Sequence, residues 1–196
     1  MFDHVWWYLA RATGIFTLAL SGGAVLWGLL LSTRIIRRRS LPKWLLDLHR
    51  FLGALTIAFL ALHVGALMLD SYVSFGVKDV FVPMASKWKA GAVAWGIVAM
   101  YLLLVVEATS LVKKHLPQRL WHMTHLLSFV AFGLSITHAA TAGTDSTNRV
   151  YLVLAIAMTA AVVFLTLFRI VIGRRSRKTP PAPERIARHA EESVSA

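Results

Sequence analysis

LHRFLGALTIAFLALHVGALML (residues 48–69) and HMTHLLSFVAFGLSITHAATA (residues 122–142) decide how this chain folds. Each is apolar over roughly the 20 residues a helix needs to cross a bilayer. Each nevertheless carries histidines: His49 and His63 in the first, His122, His125 and His138 in the second. Ionisable side chains inside a membrane helix are costly and by default mark function. Three more apolar stretches, 6–31, 90–112 and 150–172, join 44–69 and 120–141 to give five of spanning length. No strand pattern and no sequence repeat is evident. The prediction is an all-α integral membrane bundle of five transmembrane helices over residues 1–172. The basic segment 173–196, with TPPAPE in it, reads as a disordered cytoplasmic tail, either a lipid-attracting patch or a partner-docking end.

Composition agrees. Of the 196 residues, 57% belong to the apolar class and 15% are charged, against about 25% charged in a soluble domain. Cysteine is absent, which excludes disulfides, cysteine-ligated zinc, iron–sulfur clusters and a thiol nucleophile. A metal would need His, Asp, Glu or Met. The net charge of +12 does not point to nucleic acid, because the basic residues sit in short clusters between apolar runs. Arg34, Arg37, Arg38, Arg39 and Lys43 lie in loop 32–43, and Lys113, Lys114 and Arg119 in loop 113–119. Arg174, Arg175, Arg177, Lys178, Arg185 and Arg188 follow the last span. The opposite loops hold Lys78, Lys87, Lys89 and Arg149, with Arg11 near the same side and Asp3, Asp70, Asp79 and Asp145 beside them. The positive-inside rule then predicts a multi-pass plasma-membrane protein with its N-terminus outside and its C-terminus in the cytoplasm. The start, MFDHVWWYLARATG, lacks the basic n-region of a cleavable signal peptide. Its Phe2, Trp6, Trp7 and Tyr8 read as an interfacial belt.

His49 lies near the cytoplasmic start of the second span, and His63 is fourteen residues on, or ~21 Å along a helix. The fourth span runs the same way. His125 is near its start and His138 is thirteen residues on, or ~20 Å. Two helices thus each carry one histidine at an inner and one at an outer level, and the levels match. Two imidazoles on facing helices can grip one haem iron from opposite faces, and two such pairs stack two haems across one bilayer. A single membrane histidine commonly makes a helix–helix hydrogen bond instead, but four at matched depths are harder to obtain that way. Fourteen residues return to within ~40° of the starting face, whereas thirteen leave ~140° on an ideal helix. A π-bulge or a bend near Gly133 would reconcile this, as would ligands reaching from the helix flanks. His122 shares a face with His125 and is either a spare ligand or an interfacial residue. Gly22, Gly23, Gly53, Gly65, Gly96 and Gly133 offer room for helices or a flat ligand to approach.

The paired spacing, with WYLARATG (7–14), LHRFLG (48–53) and THAATAGTDS (137–146), resembles the ferric reductase-like transmembrane domain family over roughly residues 6–172. That family includes the membrane parts of ferric reductases and NADPH oxidases, and the haem-bearing membrane partner of a periplasmic methionine sulfoxide reductase. The resemblance implies two b-type haems, His49 and His125 holding the cytoplasmic-side one and His63 and His138 the outer one. It implies electron transfer from a cytoplasmic-side or membrane donor to an extracytoplasmic acceptor. Larger members add a flavin and nicotinamide module and commonly have six helices. Here five are counted and no such module is evident. The implied chain is therefore an oxidoreductase component whose donor is a separate flavoprotein or quinol, with any flavin on that partner. Arg50 and Arg119 at the inner level and Arg11 at the outer level are candidates for the haem propionates, or snorkelling interfacial cations. Glu107 either pairs with Lys113 or Lys114 or accepts from an imidazole. Asp47 reads as a helix-start charge. Two other functions use the same residues: a haem subunit feeding a dedicated redox partner, and a histidine-lined metal or proton transporter. A purely structural membrane subunit is the remaining class.

Overall fold

Leu, Ala, Val and Phe in runs of more than twenty residues leave the backbone one way to satisfy its hydrogen bonds in lipid, which is within a helix. The computed structural model describes residues 4–32, 43–71, 73–144 and 148–178, with side chains described as far as 171. Five long helices result: α1 (Val5–Ser32), α2 (Lys43–Leu69), α4 (Ala90–Leu111), α5 (Gln118–Ala142) and α6 (Arg149–Lys178). All five are long and apolar enough to cross a membrane. No strand occurs among the described residues.

Three boundaries differ from expectation. Loop 70–89 contains a short helix, α3 (Val77–Phe81), whose start is fixed by Asp79 Oδ2 accepting from the Gly76 amide at 2.9 Å. Five residues are too few for a periodic pattern to reveal. Helix α6 runs to Lys178, past the point where the disordered tail was expected to begin. Arg and Lys are good helix formers, so leaving the apolar run does not end the helix. The rest of the tail, Arg34 to Arg39, Asp3 and Asp145 lie outside the described residues. Finally, α2 begins at Lys43, so Asp47 stands one turn inside it. Rather than acting as a start charge, it pairs with Arg50 at 3.4 Å on the exposed surface.

The packing is two tight helix pairs set side by side. α1 lies along α2, and α4 lies along α5. Small residues of α1, Ala10, Thr13, Thr17, Ser21 and Gly22, are buried inside the bundle. The hydroxyls on this stripe bond back along the helix, Thr13 to Leu9 O at 2.7 Å and Thr17 to Thr13 O at 2.8 Å, so they enter the interface without an unsatisfied polar group. At the inner end Trp27 Nε1 donates to Leu45 O at 2.8 Å, tying α1 to α2. α1 also touches α5 and α6, and α2 touches α4. The two histidine-bearing helices, α2 and α5, are not among the closely packed pairs. They face each other across a gap that α1 and α4 flank.

Two apolar clusters close the bundle. Phe75, Val80, Val93, Ile97 and Met100 join the outer ends of α2, α3 and α4. Val25, Leu29, Phe132 and Val162 join α1, α5 and α6. Large apolar side chains such as Phe16, Phe51, Leu62, Phe164 and Leu167 stay exposed, as a lipid-facing surface requires.

Candidate functional site: two stacked histidine pairs

The gap brings the four predicted histidines together in twos. The rings of His49 and His125 have centres 5.9 Å apart and are turned 72° to each other. Those of His63 and His138 are 6.5 Å apart and turned 78°. A metal–imidazole bond is about 2.0 Å and the nitrogen sits roughly 1.1 Å from the ring centre, so imidazoles on opposite sides of one ion have centres about 6.2 Å apart, against about 5.1 Å for tetrahedral ligands. Both observed separations lie closer to the opposed arrangement.

Helix α5 is α-helical without a π-turn from Gln118 to Ala142. Of the alternatives for the thirteen-residue spacing, this favours rings that reach the gap from different flanks. Gly133 is exposed, with nothing within 4 Å of where a Cβ would stand. Gly23 and Gly65 likewise have open space there, so no neighbouring helix makes a close approach at these three glycines. Gly22, Gly53 and Gly96 do abut neighbours: Met158 and Phe132, Glu107, and His138 respectively.

The second ring nitrogens are anchored by the flanking helices. His63 Nδ1 is 2.7 Å from Ala10 O on α1, and His138 Nδ1 is 2.8 Å from Ala92 O on α4. A carbonyl only accepts, so Nδ1 carries the proton in both rings and Nε2 keeps its lone pair for a metal. A glycine four residues after each of these alanines makes room for the ring. A Cβ on Gly14 would stand 3.0 Å from His63 Nδ1, and one on Gly96 2.7 Å from His138 Nδ1. Fourteen residues along α1 the arrangement recurs. A Gly28 Cβ would stand 3.1 Å from His49 Cε1, although His49 Nδ1 is buried without a hydrogen bond. Fourteen residues along α4, Val106 and Ser110 replace Ala92 and Gly96, and Ser110 Oγ is 3.4 Å from His125 Nδ1.

Sequence reasoning missed these flanking residues. They share an Ala-x-x-x-Gly pattern at 10–14, 24–28 and 92–96, but the same pattern stands at 19–23, 61–65 and 139–143 and so does not single them out. Two of the three copies on α1, 10–14 and 24–28, share the fourteen-residue spacing of His49 and His63.

A cavity of about 190 Å³ lies at the outer pair, with His63 and His138 both on its wall. Leu60, Val64, Ile97 and Leu103 make it mostly apolar, and Arg11 also lines it. Arg50 and Arg119 stand elsewhere: Arg50 is exposed in its pair with Asp47, and Arg119 is exposed at the start of α5. His122 is exposed too and next to Trp121, while His125 occupies the position facing His49. Glu107 packs on Gly53 of α2 rather than pairing with Lys113 or Lys114. Trp121 stacks on His125 with ring centres 5.1 Å apart, and the Lys113 ammonium is 3.6 Å from the centre of the Trp121 ring.

The donor set fits a planar macrocycle. Among the described residues no three His, Asp or Glu converge as a metal site, so neither pair could complete the shell of a bare ion. Two opposed imidazoles are what a porphyrin iron lacks, because the ring supplies the other four nitrogens.

Fold and site together define a membrane helical bundle built around two histidine pairs at two depths. The chain belongs to the family of ferric reductase like transmembrane components, whose sequence model matches residues 13–136. The match includes His49, His63 and His125 and stops two residues before His138. No curated protein and no solved structure matches the chain.

Proposed function

We propose that this protein conducts electrons across the plasma membrane through two bis-histidine b-type haems, His49 and His125 holding the inner one and His63 and His138 the outer. The observation that carries the reading is the pair of ring separations, 5.9 and 6.5 Å, on helices that otherwise stand apart. When bound, haem supplies a one-electron couple at each level. The chain does the rest. The histidines would hold each haem through their Nε2 atoms, one from each of the two helices, leaving an acceptor to take its electron without binding the iron. Ala10 and Ala92 hold the outer rings in the required tautomer. The walls around the outer pair are mostly apolar, and Arg11, which lines the cavity together with Asp79, is the cation proposed for a propionate.

The donor is a separate flavoprotein or quinol on the cytoplasmic side, and the acceptor is extracytoplasmic, either a ferric species or a dedicated redox protein. The proposed orientation places the N-terminus outside, as the basic clusters require. A metal transporter is disfavoured, since among the described residues no third His, Asp or Glu joins either pair, and a transporter of either kind is disfavoured by the unbroken spanning helices.

Reconstituted vesicles test the function. With ferricyanide enclosed and dithionite added outside, vesicles holding the protein reduce the trapped oxidant, and His63→Ala vesicles do so at the protein-free rate. Equal rates for intact protein and protein-free vesicles would sink the proposal.

A further inference from the structure

The two pairs are not held alike. Both outer rings donate to carbonyl oxygens at 2.7 and 2.8 Å. At the inner pair, His49 Nδ1 is buried without a hydrogen bond. The Ser110 hydroxyl donates to Val106 O at 2.7 Å, which leaves it only to accept from His125 Nδ1 at a long 3.4 Å. Donation to a carbonyl makes an imidazole a stronger ligand base. The inner rings have little of this support, and His125 has something else against its face. Trp121 lies on it 21° from parallel, and the Lys113 ammonium stands 3.6 Å from the centre of the same indole. One indole thus contacts both the ammonium of the Lys113–His115 turn that follows α4 and the inner imidazole on α5.

We infer that Lys113, held over Trp121, is a tuning residue that raises the reduction potential of the inner centre and leaves the outer one alone. This rests on the two-centre reading above. A cation near a ligand favours the state with the extra electron. Seated on an indole face, it is fixed in place by the cation–π attraction, where a free surface lysine would wander through solvent. The nearest described acid on α4, Glu107, lies one turn further into the bundle against Gly53. It is common to every variant below and cancels in the comparison. Lys113 is itself exposed, so solvent screens its field, and the expected effect on the inner reduction equilibrium is about three- to tenfold. Tenfold corresponds to ~59 mV for a one-electron couple.

Equilibrium redox titration of the full-length holoprotein, followed by absorption, reads this directly. The inner wave is the one missing in His125→Ala, and the outer wave the one missing in Gly96→Ala. Lys113→Gln is expected to lower the inner wave by tens of millivolts and leave the outer wave in place. Lys113→Arg restores it, because guanidinium also stacks on indole. Lys114→Gln removes the same charge from the adjacent residue and is expected to move the inner wave less. An inner wave unmoved in Lys113→Gln, or moved equally in Lys114→Gln, overturns the inference while the two-centre reading stands. A protein that binds no haem overturns both.

Discussion

Each outer histidine ring has a backbone oxygen that holds one nitrogen and a missing side chain that lets the ring in. Ala92 and Gly96 provide both for His138, and Ala10 and Gly14 do so for His63. A methyl group on Gly96 would fall 2.7 Å from His138 Nδ1, closer than real contacts allow. Gly96→Ala is therefore expected to displace the ring and weaken binding at the outer site by about 10–100-fold, the usual effect of disturbing a ligand's supporting partner. The check is haem content per chain, falling from two toward one. Gly28→Ala meets His49 at a milder 3.1 Å and should weaken inner occupancy less. The histidines themselves were legible in the sequence, because polar atoms in an apolar run stand out. Their glycine and alanine partners were not, because small residues are common throughout membrane helices and only the facing ring gives these particular ones a role. Of the three arginines read as propionate partners, Arg11 was read at the outer level and lines the outer cavity, whereas Arg50 and Arg119 were read at the inner level and both are exposed. Spacing fixes depth along the axis, but Arg50 turned out to face Asp47 and solvent.

At the scale of the helix, five spans were readable to within a few residues because a bilayer imposes their length. What hydropathy could not supply was which helices touch. The histidine helices α2 and α5 are the ones kept apart, each packed instead on a helix that supports its ligands. Glycine positions report the same distinction. Gly133 faces open space, so Gly133→Ala is expected to leave haem content unchanged. It should hold or slightly raise the thermal midpoint, since alanine is the better helix former by up to about 1 kcal/mol. Gly22 abuts Met158 of α6 and Phe132 of α5, so Gly22→Ala is expected to lower the midpoint by overpacking, typically about 1–3 kcal/mol. Equal melting of the two variants in detergent would contradict this packing.

For the molecule as a whole, charge and ligand placement have to agree on one orientation. The basic loop 113–119 adjoins the His49–His125 end, and Lys89, which donates to Thr141 O at 3.0 Å, marks the other. A reporter fused after Ala196 is therefore expected to be cytoplasmic, and one fused before Met1 to be outside. The central claim is narrower: four imidazoles hold two haems, in the pairs 49 with 125 and 63 with 138. It is tested most directly by purifying the protein and its four single His→Ala variants and measuring haem per chain together with the dithionite-reduced spectrum. Expected are two b-type haems in the intact protein, with His63→Ala and His138→Ala losing one and the same centre and His49→Ala and His125→Ala losing the other. A colourless intact protein, or a His125→Ala variant that keeps both haems while His122→Ala loses one, would contradict it.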